Sequence, residues 1–157
     1  MRKQIIQPVM PSFRPNQQNW FNLESLAQVE LTSEEQAHPI EFAFSSNEDE
    51  AWRAAQPGEQ KIRIVFDEPQ NIKQVYLKFE EKEQARTQEF QLRWLPEGQL
   101  SYQEIVRQQY NFSPPQTIQE SEEYSVNLES VRALELTINP DITREEAYAS
   151  LAQLQLS

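Results

Sequence analysis

Apolar residues recur at every second position through most of this chain. Val75, Leu77 and Phe79 alternate with Gln74, Tyr76, Lys78 and Glu80, and Phe90, Leu92 and Trp94 alternate with Glu89, Gln91 and Arg93. A period of two marks a strand with one buried and one wet face. The same pattern predicts strands over 23–32 (Ala27, Val29 and Leu31 inward) and over 40–45 (Ile40, Phe42, Phe44). Further strands fall at 102–112, with Val106, Gln108, Tyr110 and Phe112 on one face, at Val126 and Leu128, at Leu134, Leu136 and Ile138, and at Ala152, Leu154 and Leu156. Residues 60–81 read as two strands joined by a turn at Asp67-Glu68-Pro69-Gln70-Asn71. Gln56-Pro57-Gly58-Glu59 is a turn by its Pro-Gly pair. Capping-box spacing at Ser33-Glu34-Glu35-Gln36 and at Thr143 with Glu146 predicts single helical turns, the first stopped by Pro39.

Eight or nine short strands with almost no helix, each with one dry face, predict two stacked sheets. The expected architecture is all-β: a single antiparallel jelly-roll β-sandwich with short helical turns, occupying residues 23–157. Residues 1–22 carry Pro8, Pro11 and Pro15 and show no period. They read as an extended N-terminal arm, anchored by Phe13, Trp20 and Phe21.

Composition narrows the classes of partner. With 157 residues, 38% hydrophobic and 25% charged, the chain suits one globular domain. Its net charge of −11, with no basic run among its 14 Lys and Arg, makes nucleic acid and anionic membrane poor partners. There is no cysteine, hence no disulfide, thiolate nucleophile or Cys-zinc site. The basic N-terminus develops no apolar core, and no run is long enough to span a bilayer, so the expected location is cytoplasmic.

Catalytic signatures are scarce. With glycines only at 58 and 98, neither a Walker loop nor a dinucleotide fingerprint can be built, and no Gly-x-Ser-x-Gly elbow exists. His38, the single histidine, precedes Pro39 and reads as a loop residue. The 25 acidic residues single out no carboxylate pair for glycoside hydrolysis. The more suggestive side chains are Trp52 and Arg53, Arg86 and Gln88, and Arg107 and Gln109. Arg and Gln present planar, multi-donor groups that pair with vicinal hydroxyls or carboxylates, and Trp52 would add an aromatic platform. Equally physical is a core role for Trp52 and ion pairing of the arginines with neighbouring Glu. Asn47, Glu48 and Asp49 offer oxygen ligands for a hard cation such as calcium, without the spacing of an EF-hand.

The order of features is similar to that of the discoidin, or coagulation factor 5/8 type C, group of galactose-binding-like sandwiches. The resemblance runs over residues 25–156. It rests on Trp52-Arg53-Ala54, Gly58 leading into an apolar strand to Phe66, Asp67 and Pro69 before the next strand, and Phe90-Gln91-Leu92-Arg93-Trp94. Leu134-Glu135-Leu136-Thr137-Ile138 and the closing strand at 150–156 complete it. The bracketing cysteines of extracellular members are missing, and the family's usual hairpin is reduced to Leu95-Pro96-Glu97-Gly98. The resemblance implies a non-catalytic module that binds carbohydrate through loops at one end of the sandwich. It requires no cofactor, and a structural calcium is common in related jelly rolls. The alternative is an intracellular assembly protein that meets a protein partner through its acidic surface and N-terminal arm. An enzyme ranks third, because no catalytic site is assembled in the sequence.

Overall fold

The computed structural model describes residues 19–45, 47 and 49–157. In chain order the elements are α1 (Leu23–Leu26), β1 (Ala27–Leu31), α2 (Glu41–Phe44), β2 (Trp52–Pro57) and β3 (Gln60–Glu80). There follow β4 (Arg86–Pro96), β5 (Gln103–Phe112), β6 (Gln119–Asn139), β7 (Tyr148–Leu151) and β8 (Gln153–Leu156). Eight strands in antiparallel pairings agree with the expected all-β sandwich.

Two strands of 21 residues organise it. The expected hairpin at 60–81 is one continuous strand, β3, and the two strands expected at 126–138 are one strand, β6. They pair with each other from Gln60↔Ile138 to Glu80↔Gln119. Midway the register slips between Val65 and Gln70, Gln70 and Ile72, and Ile72 and Gln74. Pro69, which has no N–H to give a ladder, falls inside this bulge. The slip flips the buried parity from Ile62, Ile64 and Phe66 to Val75, Leu77 and Phe79. The bulge frees two carbonyls, and one guanidinium takes both: Arg132 Nη1 donates to Phe66 O at 3.0 Å and to Asp67 O at 3.2 Å. Glu97 holds Arg132 at 2.7 and 3.1 Å.

At this crease the ribbon bends over on itself. Its first half sits in a layer ordered β1-β3-β6-β4-β5, while its second half pairs with β8. Phe79 and Phe90, on strands that do not pair, meet across the interior with ring centroids 5.1 Å apart. Ile62, Phe66, Leu77, Leu92, Leu134 and Leu136 are among the fully buried side chains around them.

Other expectations need correction. The pattern at 40–45 is a single helical turn, α2, with Ile40 and Ala43 buried; burial three residues apart outweighed the apparent alternation. Residues 23–26 are likewise one helical turn before β1. The Ser33 cap is diverted: its hydroxyl donates to Gln60 Oε1 (2.7 Å) and accepts from Ala55 N–H (3.0 Å), and no helix forms there. At 143–146 Asp141, not Thr143, collects the loop's donors. The last strand divides at Ala152 into β7, paired with β2, and β8, paired with β3. Tyr76 and Lys78, expected on a wet face, are buried, because β6 and β8 flank that part of β3 on both sides. Of the expected arm, residues 1–18, including Phe13, lie outside the described residues. Phe21 donates its N–H to Leu156 O at 2.8 Å and packs against the core.

Gly58 follows β2 at φ 87°, a left-handed conformation. A Cβ there would stand 3.9 Å from Glu145 O, so space is not limiting. Gly58→Ala is therefore expected to cost about 1–2 kcal/mol through backbone strain alone. Urea denaturation measures this, and an unchanged midpoint would show that the turn relaxes.

Candidate functional site

Loops gather at the end of the sandwich opposite the crease, and a cavity of about 230 Å³ opens there. His38, Asp49, Arg53, Glu81, Lys82 and Ser150 contribute its polar wall. Three local pairings bring them together. β2 lies against β7, which puts Arg53 opposite Ser150. The Arg53 N–H donates to His38 O at 3.2 Å and draws in the preceding loop. β3 ends at Glu80, so the turn into β4 forms the facing wall.

That turn is folded around its own carboxylate. Glu81 Oε2 accepts from the N–H groups of Glu83 (3.1 Å) and Gln84 (3.3 Å), while Oε1 accepts from Arg86 Nε at 2.7 Å. Burial pushes the Glu81 carboxyl up, but these hydrogen bonds and the Arg86 charge outweigh it and hold its pKa below the usual range.

The remaining groups are available to a ligand. Arg53 is 56% exposed and its ion pair with Glu35 is long at 3.7 Å. Among the described residues the side chains of Asp49, Lys82 and Ser150 have no partner. His38 Nδ1 is buried without a hydrogen bond. Cationic donors, a carboxylate and a hydroxyl around a space for one ring suit a polyhydroxy ligand.

The six residues expected to bind ligand do not converge. Arg53 lines the cavity. Trp52 stands in its wall, but it is fully buried and its Nε1–H donates to Ser33 O at 3.1 Å, so its face is no platform. Arg86 and Gln88 point into the sandwich. Arg86 Nη1 donates to Gln88 Oε1 (3.0 Å) and to Pro140 O (2.8 Å), and its guanidinium stacks 4.7 Å from the Phe112 ring centre. Arg107 and Gln109 lie on the outer face of β5. Gln109 donates to Glu89 at 2.8 Å, and Arg107 pairs with Glu104 and Glu89 at 3.4 and 3.7 Å. Of the suggested metal ligands, Glu48 lies outside the described residues, and the Asp49 N–H donates to Asn47 Oδ1 at 3.0 Å. Among the described residues no three His, Cys, Asp or Glu side chains are grouped to hold a metal ion.

Sequence reasoning missed a polar cluster between β4, β5 and β6. Glu120 and Glu122 face inward from β6. Gln88 Nε2 reaches Glu120 at 3.5 Å from β4, Gln108 Nε2 reaches it at 3.3 Å from β5, and Tyr124 OH donates to Gln108 Oε1 at 2.6 Å. Burial, then the neighbouring Glu122 charge, pushes the Glu120 pKa up to about 7. The two-residue spacing of Glu120, Glu122 and Tyr124 was the available signal, but carboxylates at inward positions break the apolar alternation by which a strand is read.

No family model and no curated protein sequence matches this chain. Its structure is similar to that of a pectin-binding carbohydrate-binding module (TM-score 0.61, 13% identity, covering 84% of this chain and 90% of that one). It is also similar to the family 32 carbohydrate-binding module of C. perfringens NanJ in complex with galactose (TM-score 0.61, 12% identity, covering 85% and 94%). A third likeness is to the family 32 module of AlyQ in complex with 4,5-unsaturated mannuronic acid (TM-score 0.62, 15% identity, covering 89% and 98%). At such identities the likeness is one of fold alone: the chain shares the antiparallel β-sandwich of these modules. No helix among the described residues is long and apolar enough to cross a membrane.

Proposed function

We propose that this sandwich is a non-catalytic carbohydrate-binding module whose ligand enters the cavity between residues 49–53 and 80–83. The observation that carries the reading is the cavity itself: one-ring size, at the loop end, with Arg53, Lys82, Asp49 and Ser150 free to hydrogen-bond. The solved carbohydrate-binding modules of the same fold support it. A neutral sugar fits better than an acidic one. The carboxylates lining the cavity, Asp49, Glu80, Glu81 and Glu83, outnumber its two cations, Arg53 and Lys82, and the chain as a whole carries −11. Without an exposed aromatic face, binding rests on hydrogen bonds. At about −0.3 kcal/mol for each of roughly a dozen non-hydrogen atoms, a monosaccharide would bind with a Kd of about 2 mM.

Calorimetric titration with galactose, N-acetylgalactosamine, glucose and mannose tests this. Arg53→Ala is expected to weaken binding about tenfold or more, since a hydrogen bond from a charged group contributes roughly 1.5–3 kcal/mol, while stability changes by less than about 1 kcal/mol. Absence of heat with every sugar at tens of millimolar, or unaltered binding by the variant, would count against the site.

A further inference from the structure

Two larger hollows lie at the same end of the sandwich, on the far side of the 81–85 turn. One, of about 380 Å³, is bounded by Ala85, Thr87, Asn111 and the 141–144 loop. The other, of about 640 Å³, runs between that loop and the Gly58 turn. The 141–144 loop forms the ridge they share, and it is firmly fixed. Buried Asp141 accepts from Thr143 N–H (3.0 Å), Thr143 Oγ1 (2.7 Å) and Arg144 Nε (2.9 Å). Ile142 N–H donates to Thr87 O at 2.9 Å, and Arg144 Nη2 donates to Ala85 O at 3.1 Å. The turn that walls the cavity is thus bonded directly to the ridge.

On that ridge Ile142 stays 43% exposed, an apolar surface among polar groups. Asn111 accepts from Thr87 through Oδ1 at 2.8 Å, leaving its amide N–H₂ without a partner among the described residues. Arg144 is half exposed, with Nη1 free beside its two engaged nitrogens. An apolar contact flanked by an amide and a guanidinium is what a sugar ring with one hydrophobic and one hydroxyl-bearing aspect requires.

We infer that the protein takes an oligosaccharide rather than a single sugar, with one ring in the cavity and the following rings laid over the ridge at Ile142 and Arg144, beside Asn111. This rests on the carbohydrate-binding reading and extends it past the 81–85 turn. A chain of hydroxylated rings crossing that turn meets exposed Lys82 and Ala85 on the way.

Titrating the full chain with galactose, glucose and mannose, each as the monosaccharide and as a linear tetrasaccharide, tests it. For the sugar that binds, the tetrasaccharide is expected to bind at least tenfold more tightly. Asn111→Ala and Ile142→Ser, both at exposed positions, should bring its affinity back to the monosaccharide level and leave monosaccharide affinity unchanged. Equal affinity for the two lengths, or tetrasaccharide binding indifferent to both variants, would overturn the extended site while leaving the cavity intact. No binding of either length would overturn both readings, and Arg53→Ala separates them, because it should weaken both lengths alike.

Discussion

Replacing Arg86 by alanine is expected to remove about 3–5 kcal/mol of stability, the typical penalty for breaking a buried ion pair from one side. Its side chain is 1% exposed. The substitution strands three acceptors at once: the Glu81 carboxylate, Gln88 Oε1 and Pro140 O. It also removes the cation stacked on Phe112. Arg86→Lys should recover less than half of the loss, because an ammonium on a flexible stem cannot meet these acceptors while lying flat on the ring. Urea denaturation of the three proteins measures this. Because Arg86 anchors the turn walling the cavity, the variants should lose sugar affinity as well. A loss below about 1 kcal/mol for Arg86→Ala would mean that water reaches the stranded acceptors.

Glu120→Gln should stabilise the protein, and only at the alkaline side. The carboxyl is 2% exposed and titrates near pH 7 in the folded chain, against an ordinary 4.5. Between those values the native state holds a proton that the unfolded chain releases. Stability from this group is therefore complete below about pH 4.5 and is lost as the pH rises through 7. The groups facing it are Glu122 and Tyr124 on β6, Arg86 and Gln88 on β4, and Gln108 on β5. Glutamine presents the same donor to Glu122 as the protonated acid and has nothing to titrate. At pH 8 the variant should be more stable by on the order of 2–3 kcal/mol, roughly 5–10 °C in Tm, and near pH 4.5 the two proteins should coincide. Parallel Tm curves across pH 5–8 would contradict the assignment.

The alternation at Phe90–Leu92–Trp94 and at Val75–Leu77–Phe79 made the sandwich legible, because a half-buried strand writes its period directly into the chain. The length of β3 and β6 was not legible. Pro69 and Asn71 are turn formers, and nothing local separates a turn that reverses the chain from a bulge that bends it while pairing continues. Only the partner strand decides. The single-turn helix α2 was misread for a related reason: over five residues, Ile40, Phe42 and Phe44 satisfy a period of two as well as Ile40, Ala43 and Phe44 satisfy one of 3.6. At the site, Arg53 and the loop before it were legible as polar groups next to a strand end. The facing wall at 80–83 was not, since it comes close only through the fold. Arg86 and Gln88 carried the right chemistry for a ligand, but their burial depends on Phe112 and Pro140, distant in sequence.

The crease at 66–71 gives the two layers an unequal geometry. They share the same two strands at one end. At the other they are joined by the turns at 81–85 and 113–118, and across the interior by Phe79 on Phe90 and by Arg86 through Gln88 to Glu120. Any change in the angle between layers produces its smallest displacement at the Arg132 clamp and its largest at the loop end, where the lever arm is longest. The side-chain ties stand close to that end, where a given force resists opening with the greatest torque. The stiffness of the cavity is thus set by the side chains at its back together with the turns that line it.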